Sequence, residues 1–521
     1  MTAESLPAAQ AAEHAASTGA AGTAAAATEL HAPSKATAAE AAGAAAAGAG
    51  TDAVQHAAGG APATQAPAAT AATGGSLYGA VRSFMVSPPA PPKKPAAPRV
   101  LPSRPSIFDV DRMEQAQDPL LGVFIISQVA VVLFIATSCH GHYLRTGTLF
   151  DPDVFSLFFD GLLALAFWDA RLVFSAAPAL LVQQFVAGGF VPLATAWPLQ
   201  ASWEAVWLAV WVGTIRTSSL AWPHRLVLAL HMVVLLMKQH SYFAVNNEWL
   251  QSAGAGAAAS SDAARQATSS EKPEAEKATP AREDVTKSLT IGNFMFWLAV
   301  PSLVYETSFR QMPHFRLIHF IYYLVWTLIS AFGLYVTVDH LAYPAVRDFA
   351  VNGYINTFML LVPAMAMYVV LIFLTISEFG LNTLAELTRF DDREFYGDWW
   401  NAIGYESFSR KWFTPVHRFL HAHVFAASRQ QLGLSRPAAM VLAFTVSAFL
   451  HELVMFAVLP NLHIDLFRTQ ILQVTYIWMD FKMPPARASY GITSFWGGYF
   501  LGPPFWAIAY SRAFFETPAP Q

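Results

Sequence analysis

His451 and Glu452 stand side by side in a run, 435–460, that beyond Pro437 is apolar except for Thr445, Ser447 and this pair. A histidine and a carboxylate inside an apolar helix are costly unless they face partners or a water-filled space, so the pair marks a functional position. An imidazole can take a proton from a hydroxyl near neutral pH and give it back. Ser447 lies four residues before His451 and shares its helix face, about 6 Å away along the axis. A histidine buried for purely structural reasons and bonded to a neighbouring helix would satisfy the same pattern, because buried polar groups are paired in any case. A zinc-protease reading fails, since the position that would need a second histidine is Met455.

Other candidates are weaker. His417 and His421 are spaced i, i+4 with His423 close by, and His140 and His142 follow Cys139. Neither group has carboxylates at an obvious ligand spacing, so anchoring at the membrane edge is the expectation and no metal is expected. Cys139 follows an apolar run with no base at helical spacing, which argues against a nucleophile. The chain has neither G-x-S-x-G nor a P-loop, the usual supports for a serine hydrolase or an ATP-driven pump.

The elements that must position these residues are written in the composition. Of 521 residues 55% are apolar and 13% charged, about half the charge of an ordinary globular protein. A net charge of −4 offers no basic footprint for nucleic acid. One cysteine excludes an intrachain disulfide or an all-cysteine metal site. Uncharged runs at 121–139, 172–203, 289–305, 317–338, 349–377 and 488–511, with shorter ones at 154–168, 205–215, 226–237, 437–450 and 466–479, predict an all-α polytopic membrane protein of about nine transmembrane helices. Residues 1–104, rich in Ala, Gly, Thr and Pro, predict a disordered tail with a polyproline spacer at 87–98. The first residues do not read as a cleavable signal peptide, and Lys93, Lys94, Arg99, Arg104 and Arg112 ahead of the first span favour a cytosolic N-terminus. The membrane domain is expected at 115–513, with a disordered polar loop at 251–287. A second loop, 386–436, mixes charges with Phe395, Tyr396, Trp399, Trp400 and Trp412, and is expected to lie as amphipathic segments at the interface.

The stretch 381–401, LNTLAELTRFDDREFYGDWWN, resembles the membrane-bound O-acyltransferase family, in the branch of sterol and type-one diacylglycerol acyltransferases. The likeness rests on Leu381, Asn382, Ala385 and Glu386, then Phe395, Tyr396, Asp398, Trp399, Trp400 and Asn401. It continues through Trp412, Pro415, Val416 and His417 to Ser447, Ala448, His451 and Glu452, in the family's order over about 290–511. Met237, Lys238, His240, Ser241 and Tyr242, together with FYGDWWN and an acidic Glu378, resemble the fungal sterol O-acyltransferases most. One position departs: Phe413 stands where the family has Asn, and phenylalanine donates no hydrogen bond. Loss of an oxyanion donor costs about 10²–10³ in rate.

The resemblance implies transfer of a long-chain acyl group from acyl-CoA, a substrate rather than a cofactor, to the 3β-hydroxyl of a sterol. The reaction chamber would lie within the membrane, because acyl chain and sterol are insoluble. His451 would be the general base, with Glu452 orienting the imidazole and Ser447 bonding the thioester region or the histidine. No nucleophile adjoins His451, so direct transfer is expected. Phe395, Tyr396, Asp398, Trp399, Trp400, Asn401, Trp412 and His417 would shape the CoA site, with Arg410, Lys411 and Arg418 as candidates for its phosphates by charge. An endoplasmic reticulum membrane location and a homodimer or homotetramer are further implications. A diacylglycerol acceptor is the alternative within the branch. A proton-coupled transporter is the alternative outside it, without the paired inverted repeats that such folds carry.

Overall fold

A computed structural model describes residues 104–266, 282–482 and 487–515. These residues are mostly helical, and among them the β-type pairing is limited to isolated bridges, Arg104 with Asp392 and Gln311 with Phe390. Among the described residues five segments are long and apolar enough to cross a membrane: Leu120–Thr146, Trp222–Ala253, Leu317–Arg347, Phe349–Thr388 and Arg436–Val458. The helices used below are α1 (Leu120–Thr146), α2 (Leu193–Thr217), α3 (Trp222–Gln266), α4 (Ile291–Ala299), α5 (Leu317–Thr337), α6 (Phe349–Ile372), α7 (Leu381–Thr388), α8 (Tyr405–Lys411), α9 (Thr414–Phe419), α10 (Arg436–Val458), α11 (Asp465–Lys482) and α12 (Arg487–Phe515).

Several apolar runs do not become single spans. The run 172–203 breaks at Gly189, whose φ of 83° suits glycine, and at Pro192 before α2. The run 289–305 yields only the 9-residue α4, about 14 Å long and too short to cross. Gly161, also left-handed, divides 154–168 between Pro152–Phe159 and Leu162–Phe174. Apolar content alone does not see such breaks.

The 251–287 loop also differs from expectation. Helix α3 continues to Gln266 because this part is Ala-rich, and a short helix, Arg282–Ser288, follows. The tail up to residue 103 lies outside the described residues, as does 267–281.

Two apolar cores carry the candidate site. In the first, Val454, Ala457 and Val458 of α10 pack with Trp207 and Trp211 of α2, with Met232 and Leu235 of α3, and with Phe419 of α9. In the second, Phe373, Phe379, Phe390, Phe395, Tyr396 and Trp399 pack against Phe124 of α1 and Tyr323 of α5. Helix α9 joins them: Thr414 N–H donates to the Phe395 carbonyl at 2.8 Å, while Phe419 reaches the first core.

Candidate active site

Helix α10 begins where Ser435 accepts from Ala438 N–H, has Pro437 in its first turn and stops at Val458, before Pro460. On it, His451 Nδ1 lies 2.8 Å from the Ser447 carbonyl. A carbonyl only accepts, so Nδ1 carries the proton and the neutral ring keeps its lone pair at Nε2, the atom that can act as a base. The imidazole is exposed on α10, so Nε2 is open to a substrate. Ser447 contributes its backbone carbonyl to this contact, not its hydroxyl.

Glu452 does not orient His451. One residue along a helix turns the side chain by about 100°, and the carboxylate faces α11 and α12. It accepts from Phe467 N–H at 2.9 Å and from the Tyr510 hydroxyl at 3.1 Å, and it is buried. An acidic group on the first turn of a helix is favourable, since the free N–H groups there need acceptors. Glu452 therefore fastens α11 and α12 to the His451 helix. Glu452→Gln is expected to lower the thermal midpoint while leaving the pH profile of kcat unchanged. A shift of the acidic limb in that variant would return Glu452 to the imidazole.

Three aromatics of the FYGDWWN segment pack into the protein rather than lying exposed. Phe395, Tyr396 and Trp399 are 2%, 1% and 7% exposed. Trp399 meets Trp412 edge-on at 4.8 Å, and Trp412 stacks on Phe408 of α8 at 5.2 Å. Trp400 stacks on Phe108 at 5.2 Å, and Asn401 donates to Asp398 at 3.3 Å. The aromatics pack inward because α1, α5 and the residue 104–113 segment cover them, which the local sequence does not show. Trp399 Nε1 and the Tyr499 hydroxyl are buried with no hydrogen-bond partner among the described residues.

The three candidate phosphate binders are all paired with carboxylates. Lys411 holds Asp398 at 2.9 Å and keeps that carboxyl below the usual range. Arg410 pairs with Glu406 at 2.9 Å, and Arg418 reaches both Asp392 and Glu394. A cation already neutralised is a poorer anion site than composition suggests. His417 is half-buried, its ring 6.2 Å from His421, and burial pushes its pKa down. Among the described residues no group of three or more His, Cys, Asp or Glu is placed to hold a metal ion.

Phe413 sits at the N-cap of α9 and makes no side-chain cap. Thr414 N–H is taken by Phe395, and Pro415 has no N–H. That leaves the Val416 N–H as the donor an N-cap asparagine would satisfy. An asparagine at this position would cap α9. Phe413→Asn is expected to stabilise the fold by about 0.5–1 kcal/mol, read as a raised thermal midpoint, with kcat changed less than about 3-fold. A gain of 10²-fold in kcat would instead make residue 413 part of the reacting centre.

Two further motifs hold the frame. Glu386, fully buried, pairs with Arg316 and, at 2.8 Å, with Arg393, whose guanidinium also donates to Asn382. This anchors the chain just ahead of FYGDWWN to α7. Lys238 donates to the carbonyls of Trp297, Val300 and Ser302 at 2.7–2.9 Å, capping the C-terminal end of α4. Next to it, Ser241 Oγ accepts from Tyr305 N–H and lies 2.8 Å from His423 Nε2. That spacing suits an activated nucleophile, but Ser241 is fully buried. Burial, with His240 beside it, pushes the His423 pKa down to about 4, in keeping with a neutral structural partner.

Residues 208–511 match the family model of MBOAT, the membrane-bound O-acyltransferase family. The chain belongs to this family. Among curated membrane-bound O-acyltransferase relatives, it is 26% identical over 395 residues to sterol O-acyltransferase 2 of Saccharomyces uvarum, covering 70% of this chain and 61% of that protein. It is 29% identical over 430 residues to the probable sterol O-acyltransferase 2 of Schizosaccharomyces pombe, covering 78% and 89%. A diacylglycerol O-acyltransferase 1-1 of rice matches over 171 residues at 29%, covering 32% and 31%. The chain thus spans about three fifths of the Saccharomyces uvarum protein. The family match encloses α10 and the FYGDWWN loop, whereas the covering segment around Ser106 and Phe108 precedes it. Those two residues, with Arg316 and Tyr510, are supports that the sequence reading did not single out. Their only advance signal was the buried charge in Glu378, Glu386 and Glu452, each of which needed a partner.

Proposed function

We propose that this membrane-bound O-acyltransferase moves a long-chain acyl group from acyl-CoA to the 3β-hydroxyl of a sterol, giving a steryl ester and free CoA. The observation that carries the reading is the tautomer of His451: Nδ1–H is committed to Ser447, and Nε2 is left as an accessible base. In the reaction, Nε2 takes the hydroxyl proton as the sterol oxygen attacks the thioester carbon. The C–S bond breaks, and the proton passes from the imidazolium to the departing CoA sulfur. The helix supplies no neighbouring nucleophile, so transfer is direct.

CoA is soluble and anionic, and its entry side is taken as the one that holds the FYGDWWN loop. That loop packs against residues 104–108 and the start of α1, so it shares a face with Arg104 and Arg112 ahead of the first span. The positive-inside rule makes this face cytosolic. Residence in the endoplasmic reticulum membrane and a homo-oligomeric state belong to the same proposal.

The acceptor is tested with purified chain in lipid nanodiscs, labelled oleoyl-CoA and either ergosterol, cholesterol or diacylglycerol. Labelled steryl ester is expected. Labelled triacylglycerol instead would assign the sister activity with the same base, and product with neither acceptor from folded protein would overturn the reading.

A further inference from the structure

We propose that residues 104–111 form a strap that belongs to the acyl-CoA site, with Ser106 and Phe108 as positioning residues for the FYGDWWN loop. This rests on the acyl-transfer reading above. The loop from 390 to 398 has no helix of its own, so contacts from elsewhere define its backbone. The strap supplies them at three levels. Arg393 N–H donates to the Arg104 carbonyl at 2.6 Å, and the Arg104 guanidinium pairs with Glu394. Ser106 donates to Glu378 Oε2 at 3.0 Å and lies 3.1 Å from the Tyr396 hydroxyl. Tyr396 itself donates to the same carboxylate oxygen at 2.5 Å. Phe108 stacks between Phe124 of α1, at 4.6 Å, and Trp400 of the loop, at 5.2 Å.

The middle level is the most telling. Ser106, Glu378 and Tyr396 are 1%, 0% and 1% exposed, and Glu378 Oε1 has no hydrogen-bond partner among the described residues. A buried carboxylate held by two hydroxyls is costly as a means of packing. Its strength is direction: a satisfied buried polar network specifies one arrangement where apolar contacts allow several. Here it fixes Tyr396 to the segment Phe373–Gly380 beneath it and to the strap above it. Two of the loop's motif side chains, Tyr396 and Trp400, are thus set by residues that lie before the first membrane span and outside the family match.

The test uses the full chain in nanodiscs with Phe108→Ala, Ser106→Ala, Glu378→Leu and Glu378→Gln. Kinetics with acyl-CoA and with sterol are read beside amide hydrogen exchange. Phe108→Ala and Glu378→Leu are expected to raise KM for acyl-CoA by about 10- to 100-fold, to leave KM for sterol unchanged and to speed exchange across 390–401. Ser106→Ala is expected to move both readouts the same way by less. Glu378→Gln, which keeps an oxygen for both hydroxyls, is expected to stay near wild type. Faster exchange with unchanged kinetics would make the strap structural only and overturn the proposal. So would a joint loss of kcat and both KM values with a lowered thermal midpoint. A folded wild type that binds and turns over no acyl-CoA would overturn the acyl-transfer reading itself, and the strap's role with it.

Discussion

Replacing His451 with alanine is expected to leave a folded chain whose acyl transfer is slower by about 10²–10⁴-fold, the usual contribution of a positioned general base. KM for acyl-CoA and for sterol is expected to change little, because the imidazole makes its decisive contact only as the hydroxyl loses its proton. The fold is expected to survive. The neighbours of His451 on α10 that fill the first core, Val454, Ala457 and Val458, are untouched, and the accessible imidazole fills no closed space. The tautomer sharpens the test. His451→Gln places an amide where the ring was but supplies no base of suitable pKa, so it is expected to be as slow as alanine. A histidine kept for structure would behave in the opposite way, with glutamine tolerated and alanine destabilising. Full activity in His451→Ala would remove the mechanism proposed above.

The second large effect concerns stability. Glu386→Ala is expected to cost about 3–5 kcal/mol, because it leaves buried positive charge without its counterion. Arg393 is 3% exposed as a residue and depends on Glu386 and Asn382, while Arg316 reaches the same carboxylate from the segment before α5. Against a total stability of about 5–15 kcal/mol, such a loss is expected to appear as poor recovery of monodisperse protein and a sharply lower thermal midpoint. Replacing both partners, Glu386→Leu with Arg393→Met, is expected to regain part of the loss, since the cost lies in the unpaired charge. If the double variant is no better than the single one, Glu386 acts through packing rather than charge.

Much of the membrane frame was legible from local chemistry. Ser435, Pro437 and Pro460 bracketed α10 because a cap, a first-turn proline and a stop act within a few residues. The uncharged runs 121–139, 317–338 and 349–377 became the spans α1, α5 and α6 because apolar length is itself the requirement for crossing. His451 was marked by the cost of a polar side chain in an apolar helix. Its protonated nitrogen follows from a carbonyl four residues back, again a local matter.

What only the tertiary structure decided is where each costly group finds its partner. Glu452 stands next to His451 in the chain, yet it bonds Tyr510, 58 residues away. Glu378 meets Ser106 across 272 positions, and Arg418 and Lys411 spend their charge on carboxylates of the loop itself. The Tyr396 and Trp399 side chains of FYGDWWN are core because α1, α5 and the strap cover them. The physical reason is the same in each case. A residue's type sets the free energy of burying it alone, and that can be read from the sequence. The identity of its partner depends on which distant segment folds against it, and that is a property of the whole chain.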